Sequence, residues 1–156
     1  MTNKPRQDYV RIRFELEEPD EHGWPPARAE TLWARRVGDN EYEIDNIPFY
    51  VRGVSAEDVV SVSEHEGTLA FQRVIKDSGH STIRVIIKGP EALGETVREY
   101  MREQGAAVEK MEKGHLAGFY AIDIPPCANL NIVLEYLKQG KEREEWDYEE
   151  GKVPTA

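Results

Sequence analysis

The hydrophobic period changes near Ser81, and that change limits the architectures open to this chain. Before it, apolar residues recur at every second position. In Tyr9–Leu16, Val10, Ile12, Phe14 and Leu16 fall on one side, and Arg11, Arg13 and Glu15 on the other. That is the period of a half-buried strand. Beyond Ser81, apolar residues also recur at helical spacing. Leu93, Val97, Tyr100 and Met101, with Gln104, share one side of a helix predicted over Pro90–Gly105. Pro90 suits its first turn and Gly105 its C-terminal cap.

The first half reads as short strands joined by turns. Glu17–Ala27, with its acids, Gly23 and Pro25-Pro26, reads as an exposed loop. Thr31–Val37 and Glu41–Asp45 form a hairpin around Gly38-Asp39-Asn40, and Val59–Ser63 pairs with Thr68–Lys76 across Glu64–Gly67. Asn46–Val54 is irregular, because Pro48 and Gly53 block regular pairing. Ser55 reads as a turn residue that introduces Asp58. Five or six short strands at this spacing predict a small, strongly bent sheet or partial barrel over residues 1–80.

From Ser81 the order is strand, helix, strand, strand, helix, strand. The second helix is expected over Asn129–Gln139, with Leu130, Val133, Leu134 and Leu137 as its stripe and Gly140 as its stop. Leu116–Ile124 is apolar on both faces near its middle, which marks a central strand. Lys113-Gly114-His115 is the turn before it. Glu145–Tyr148 adds the final strand, burying Trp146 and Tyr148 on one side. This is the ferredoxin-like βαββαβ order, predicted for residues 81–151, with 152–156 as a tail. The Ser81 strand connects the halves or is shared by them. The fold class expected is therefore α+β, with both halves in one body.

Chemistry-bearing residues are scattered. His22, His65, His80 and His115 each lie in or beside a predicted turn, and none has a ligand partner at a metal spacing. The lone Cys127 excludes an internal disulfide and a multi-thiolate zinc site. It follows two prolines at a helix start, where a thiol is either packed or activated. No phosphate loop or dinucleotide fingerprint is present, and Gly53-Val-Ser55-Ala-Glu57 lacks the last glycine of a nucleophile elbow. The expectation is no catalytic residue, no metal and no cofactor. Residues 1–8 are polar with no apolar stretch behind them, which predicts no secretory signal and a cytoplasmic location.

One segment stands apart. Asn46–Val54 sets Phe49, Tyr50 and Arg52 on an irregular loop braced by proline and glycine. Two readings are open: the rings plug the barrel end, or they face a partner, since aromatics and arginine make interface hot spots.

Several stretches carry a resemblance. Glu30-Thr-Leu-Trp33, Val37-Gly-Asp-Asn40, Asp45-Asn-Ile-Pro-Phe-Tyr50, Gly53-Val54 and Asp58-Val-Val60 are similar to a bacterial family known as domain of unknown function 4265. Ser78-Gly-His-Ser81 with Arg84, and Trp146-Asp-Tyr-Glu149 followed by Gly151, extend the likeness over most of residues 30–151. It implies no activity and brings no catalytic residues. Val51 and Arg52 depart from its pattern.

Charge completes the reading. The chain has 30 acidic and 20 basic side chains, a net charge of −10. Such a field repels nucleic acid and anionic membranes and attracts basic partners, while also serving solubility. The acids gather in Glu15–Glu21 and in Lys141–Glu150, where Glu142, Glu144 and Glu145 stand in a polar segment. Together these features point to a non-catalytic acidic binding protein, most concretely an immunity- or antitoxin-like inhibitor of a basic toxin. The partner residues would be Phe49, Tyr50, Arg52, Glu142, Glu144 and Glu145. A small-molecule-sensing module is the alternative, and an enzyme of unrecognised type the third reading.

Overall fold

A computed structural model describes residues 8–111 and 118–154. It is mixed α+β, with two helices and two sheets, and divides into two units at Ser78/Gly79. Each is built by the period that its sequence carries.

In the N-terminal unit the two-residue period forms β1 (Tyr9–Glu15), β2 (Ala29–Gly38), β3 (Glu41–Ile44), β4 (Val59–His65) and β5 (Thr68–Lys76). Neighbours in the chain pair antiparallel, with Ile12 opposite Leu32 and Ala34 opposite Ile44. The sheet goes further than a partial barrel. Ile12 and Arg13 of β1 pair in parallel with Leu69 and Ala70 of β5, so the barrel closes. Register shifts between β4 and β5 supply the bend, since a bulge sharpens the local twist. Ile12, Phe14, Leu32, Ala34, Ile44, Val60 and Val62 fill the interior, and Phe14 stacks on Phe71 at 4.7 Å. Asn40 adopts φ 52° in the β2–β3 turn, and its Oδ1 accepts the Val62 N–H at 2.9 Å. Asparagine serves there because it tolerates the left-handed region and bonds backbone locally.

The C-terminal unit runs β6 (Ser81–Ile87), α1 (Ala92–Glu103), β7 (Ala107–Lys110), β8 (Phe119–Ile124), α2 (Leu130–Glu142) and β9 (Trp146–Lys152). Its antiparallel sheet has the order β7-β8-β6-β9. Among the described residues β6 pairs with β8 and β9, so it belongs to this sheet. β8 is buried along its whole length, as a central strand should be. Val97 and Met101 of α1 join Val133 and Leu137 of α2 in one cluster with Ile83, Val85, Ile122 and Ile124. Both helices therefore cover the same face. The expected Lys113–His115 turn lies outside the described residues.

Three expectations need correction here. Gly140 does not stop α2, which continues to Glu142. It is a packing glycine: a Cβ there would overlap the Trp146 indole, whose Nε1 donates to the Leu137 carbonyl at 2.9 Å. Leu134 lies at the edge of the stripe and is half-buried, whereas Leu137 is fully buried. Cys127 is exposed and free, because Asn129 caps α2 through the Ile132 N–H and leaves Cys127 outside the helix. Among the described residues no helix is long and apolar enough to cross a membrane.

Candidate functional site

Two loops of the N-terminal unit, 16–28 between β1 and β2 and 45–58 between β3 and β4, carry the most distinctive surface. The second is irregular but firmly held. Glu30, on β2, accepts three successive backbone N–H groups: Phe49 at 2.7 Å on one oxygen, Tyr50 and Val51 at 2.9 Å each on the other. Proline and glycine keep this stretch out of a sheet, so its N–H groups need a partner, and one carboxylate supplies it. Val51 and Val54 drop into the barrel core and pin the segment from below. Farther on, buried Asp58 accepts the N–H groups of Ser55 and Ser78, both at 2.8 Å.

The first loop folds on itself around another carboxylate. Asp20 accepts the N–H groups of His22 at 2.8 Å and Trp24 at 3.0 Å, while its own N–H donates to the Trp24 carbonyl. Gly23, at φ 78°, makes the tight return possible. The Trp24 and then the His22 N–H hold the Asp20 carboxyl below the ordinary aspartate range, so it stays charged. This turn presents Trp24 edge-on to Tyr50, with ring centroids 5.7 Å apart and planes at 62°. Burial pushes the Tyr50 phenol up, and the Glu30 charge adds to it, so the ring stays neutral at physiological pH.

Between the loops lies a cleft of about 480 Å³. Trp24, Tyr50 and Phe71 are its aromatic surfaces, and Leu16, Pro25 and Val51 add apolar area. Its carboxylates are Glu15, Glu17, Glu18 and Asp20, against the single guanidinium of Arg52, a formal balance of −3. Glu15 is also held by Arg13 at 3.0 Å. An apolar body with an anionic rim can hold a cation that has an apolar stem.

Tyr50 and Arg52 are thus brought into one cleft, Tyr50 half-buried and Arg52 exposed. Phe49 is buried at 8% exposure. Glu142, Glu144 and Glu145 belong to the other unit, at the end of α2 and the turn into β9. Glu142 and Glu144 are exposed, while Glu145 is half-buried with its carboxylate on Arg143 at 2.9 Å. Trp24 and Asp20 carry no motif in the sequence, and Glu30 enters it only as part of the family pattern. An indole beside two prolines in an acidic run was the available signal for Trp24.

The residues of the family pattern fall largely on polar brackets. Asn46 accepts the Trp33 N–H at 2.6 Å, and His80 meets Asp123 at 2.9 Å. Arg84, 1% exposed, donates to Glu149 at 2.9 Å, and a Cβ at Gly151 would crowd its guanidinium. A buried charge survives only when paired and hydrogen-bonded. Among the described residues no group of three or more His, Cys, Asp or Glu side chains is arranged to hold a metal ion.

The sequence profile of a family described as Domain of unknown function (DUF4265) matches residues 30–148. No curated protein matches the chain. A solved structure titled as the novel crystal structure of a hypothetical protein from Neisseria gonorrhoeae is similar at 18% identity, with a TM-score of 0.77. It covers 94% of this chain and 96% of that one. That likeness shows the fold alone.

Proposed function

The chain belongs to the family described as Domain of unknown function (DUF4265), and from its own residues we propose that it is a non-catalytic binding protein for a basic protein partner. The reading is most concretely that of an immunity- or antitoxin-like inhibitor, which acts by covering its target. The observation that carries it is the braced cleft of the N-terminal unit, where aromatic rings stand under an anionic rim. Rigid aromatics with two side-chain torsions lose little entropy on binding and make effective anchors. The net charge of −10 supports the same partner, because it steers a basic surface toward the chain. Exposed Glu142 and Glu144 extend that field.

A bacterial and cytoplasmic setting remains part of this reading, supported by a solitary free thiol. The strand order β9-β6-β8-β7, with both helices on one face, supports a ferredoxin-like reading of the C-terminal unit. A second reading, small-molecule sensing, is favoured by the cleft's volume of about 480 Å³, within the size range of ligand pockets. The test is affinity capture from the native cytosol, with mass spectrometry of bound proteins and small molecules. A basic protein held in a one-to-one complex supports the first reading, and a co-purifying metabolite without one supports the second.

A further inference from the structure

We infer that the cleft between Trp24 and Tyr50 is a reading pocket for an arginine side chain presented on an extended segment of the partner. The inference rests on the binding reading above and names the group that is bound. Three features of the cleft select it. The first is shape: the cleft offers about 480 Å³, open along loops that Glu30 and Asp20 hold in place. A long side chain enters such a space without the loops having to reorganise. The second is charge: with Glu15 taken up by Arg13, the carboxylates of Glu17, Glu18 and Asp20 against Arg52 still leave a surplus of two negative charges along the lining. Asp20 contributes at every physiological pH, because backbone N–H groups already stabilise its ionised form.

The third feature is the aromatic lining, and it separates arginine from lysine. A guanidinium is planar, weakly hydrated and able to stack on a ring while it bonds a carboxylate in bidentate fashion. An ammonium is compact and strongly hydrated, so it loses more on leaving water for the half-buried rings of Trp24 and Tyr50. The methylene stem of arginine would lie along Leu16 and Pro25. Arg52 counts against any cation by repulsion, but the carboxylates outnumber it.

The experiment titrates the full-length, ¹⁵N-labelled protein with three N-acetylated, C-amidated tripeptides of the form Gly-X-Gly. X is arginine, citrulline or lysine. Citrulline keeps the shape of arginine and removes the charge. Arginine should shift the Trp24 indole and the amides of residues 49–52, with affinity at least tenfold above citrulline and several-fold above lysine. Trp24→Ala and the double variant Glu17→Gln/Glu18→Gln should each reduce arginine binding about tenfold or more. The double variant lies on an exposed loop, so it keeps the test valid if Trp24→Ala perturbs the fold. Citrulline binding as well as arginine, lysine binding as tightly, or shifts confined to α2 and β9 would each overturn the assignment. If a captured basic partner binds Trp24→Ala as tightly as wild type, the pocket fails while the binding function stands. If no basic protein is captured but arginine binds the cleft, the pocket stands and the protein-partner reading fails.

Discussion

Replacing Glu30 by glutamine removes one oxygen and one charge from the brace that holds residues 49–51. The native carboxylate accepts Tyr50 and Val51 on one oxygen and Phe49 on the other. The best glutamine rotamer keeps its carbonyl on the first pair and turns its NH₂ toward the Phe49 N–H, leaving that donor unmatched. An unsatisfied backbone donor costs about 1–3 kcal/mol, and each retained bond loses the charge-assisted part of its strength, about 0.5–1.5 kcal/mol. Because Glu30 is half-buried, solvent relieves part of this, and the expected loss is about 2–3 kcal/mol. Glu30→Ala should cost more, since it removes the carboxylate acceptor of all three N–H groups. Urea unfolding should show the loss, read from amide exchange at Ile12 and Val60 in the barrel and compared with Ile83 and Ile122 in the other sheet. Only the barrel amides should respond, and amides 49–51 should lose protection most. The Tyr50 phenol offers a separate readout. The Glu30 charge raises its pKa as a secondary cause behind burial, so glutamine should lower the titration midpoint while leaving it above that of a free tyrosine. A loss below about 0.5 kcal/mol, small against one charged hydrogen bond, with unchanged exchange at 49–51, would refute the brace.

Other expectations follow from the same packing. Leu137→Ala should cost about 2–5 kcal/mol, and Leu134→Ala clearly less, because only the first is fully buried. Equal losses in denaturant midpoints would contradict the assigned stripe. Gly140→Ala should destabilise the C-terminal unit although alanine favours helices, since its Cβ would overlap Trp146. A stabilised variant would show that the glycine is not a packing requirement. Asp20 has a lowered folded pKa, so its contribution is present above the unfolded value, about 3.9, and is lost as pH falls through the folded value. A carboxyl ¹³C titration should place its midpoint below that reference, with the Trp24 amide losing protection over the same range. A midpoint at or above it would remove the turn's electrostatic basis.

The parts legible in the sequence were those written as periodicity. The alternation of Ile12 and Phe14, the β2–β3 turn at Asn40 and the central character of β8 all follow from residue spacing alone. Closure of the barrel was not legible, because a parallel contact between first and last strands leaves no mark on local pattern. Gly140 misled for a related reason: a glycine that admits a distant indole looks in sequence like a helix stop. Of the candidate surface, Tyr50 and Arg52 were visible as aromatic and charge on an irregular loop. The roles of Trp24, Asp20 and Glu30 were not, because they arise from a ring contact between the β1–β2 and β3–β4 loops, a local turn closed on Asp20, and hydrogen bonds from the β3–β4 loop to Glu30 on β2. Polar residues used as backbone brackets look like ordinary surface residues until the fold joins them.

The central claim is stoichiometric binding of a basic partner through the braced cleft. It is tested most directly by the kinetics of wild type and Trp24→Ala against the captured partner, at low and moderate salt. Charge steering acts on encounter, and a buried anchor acts on residence. Raising salt should therefore slow association several-fold with little change in dissociation, while Trp24→Ala, measured well below its own melting temperature, should speed dissociation. Association independent of salt, together with wild-type dissociation from Trp24→Ala, would contradict the account.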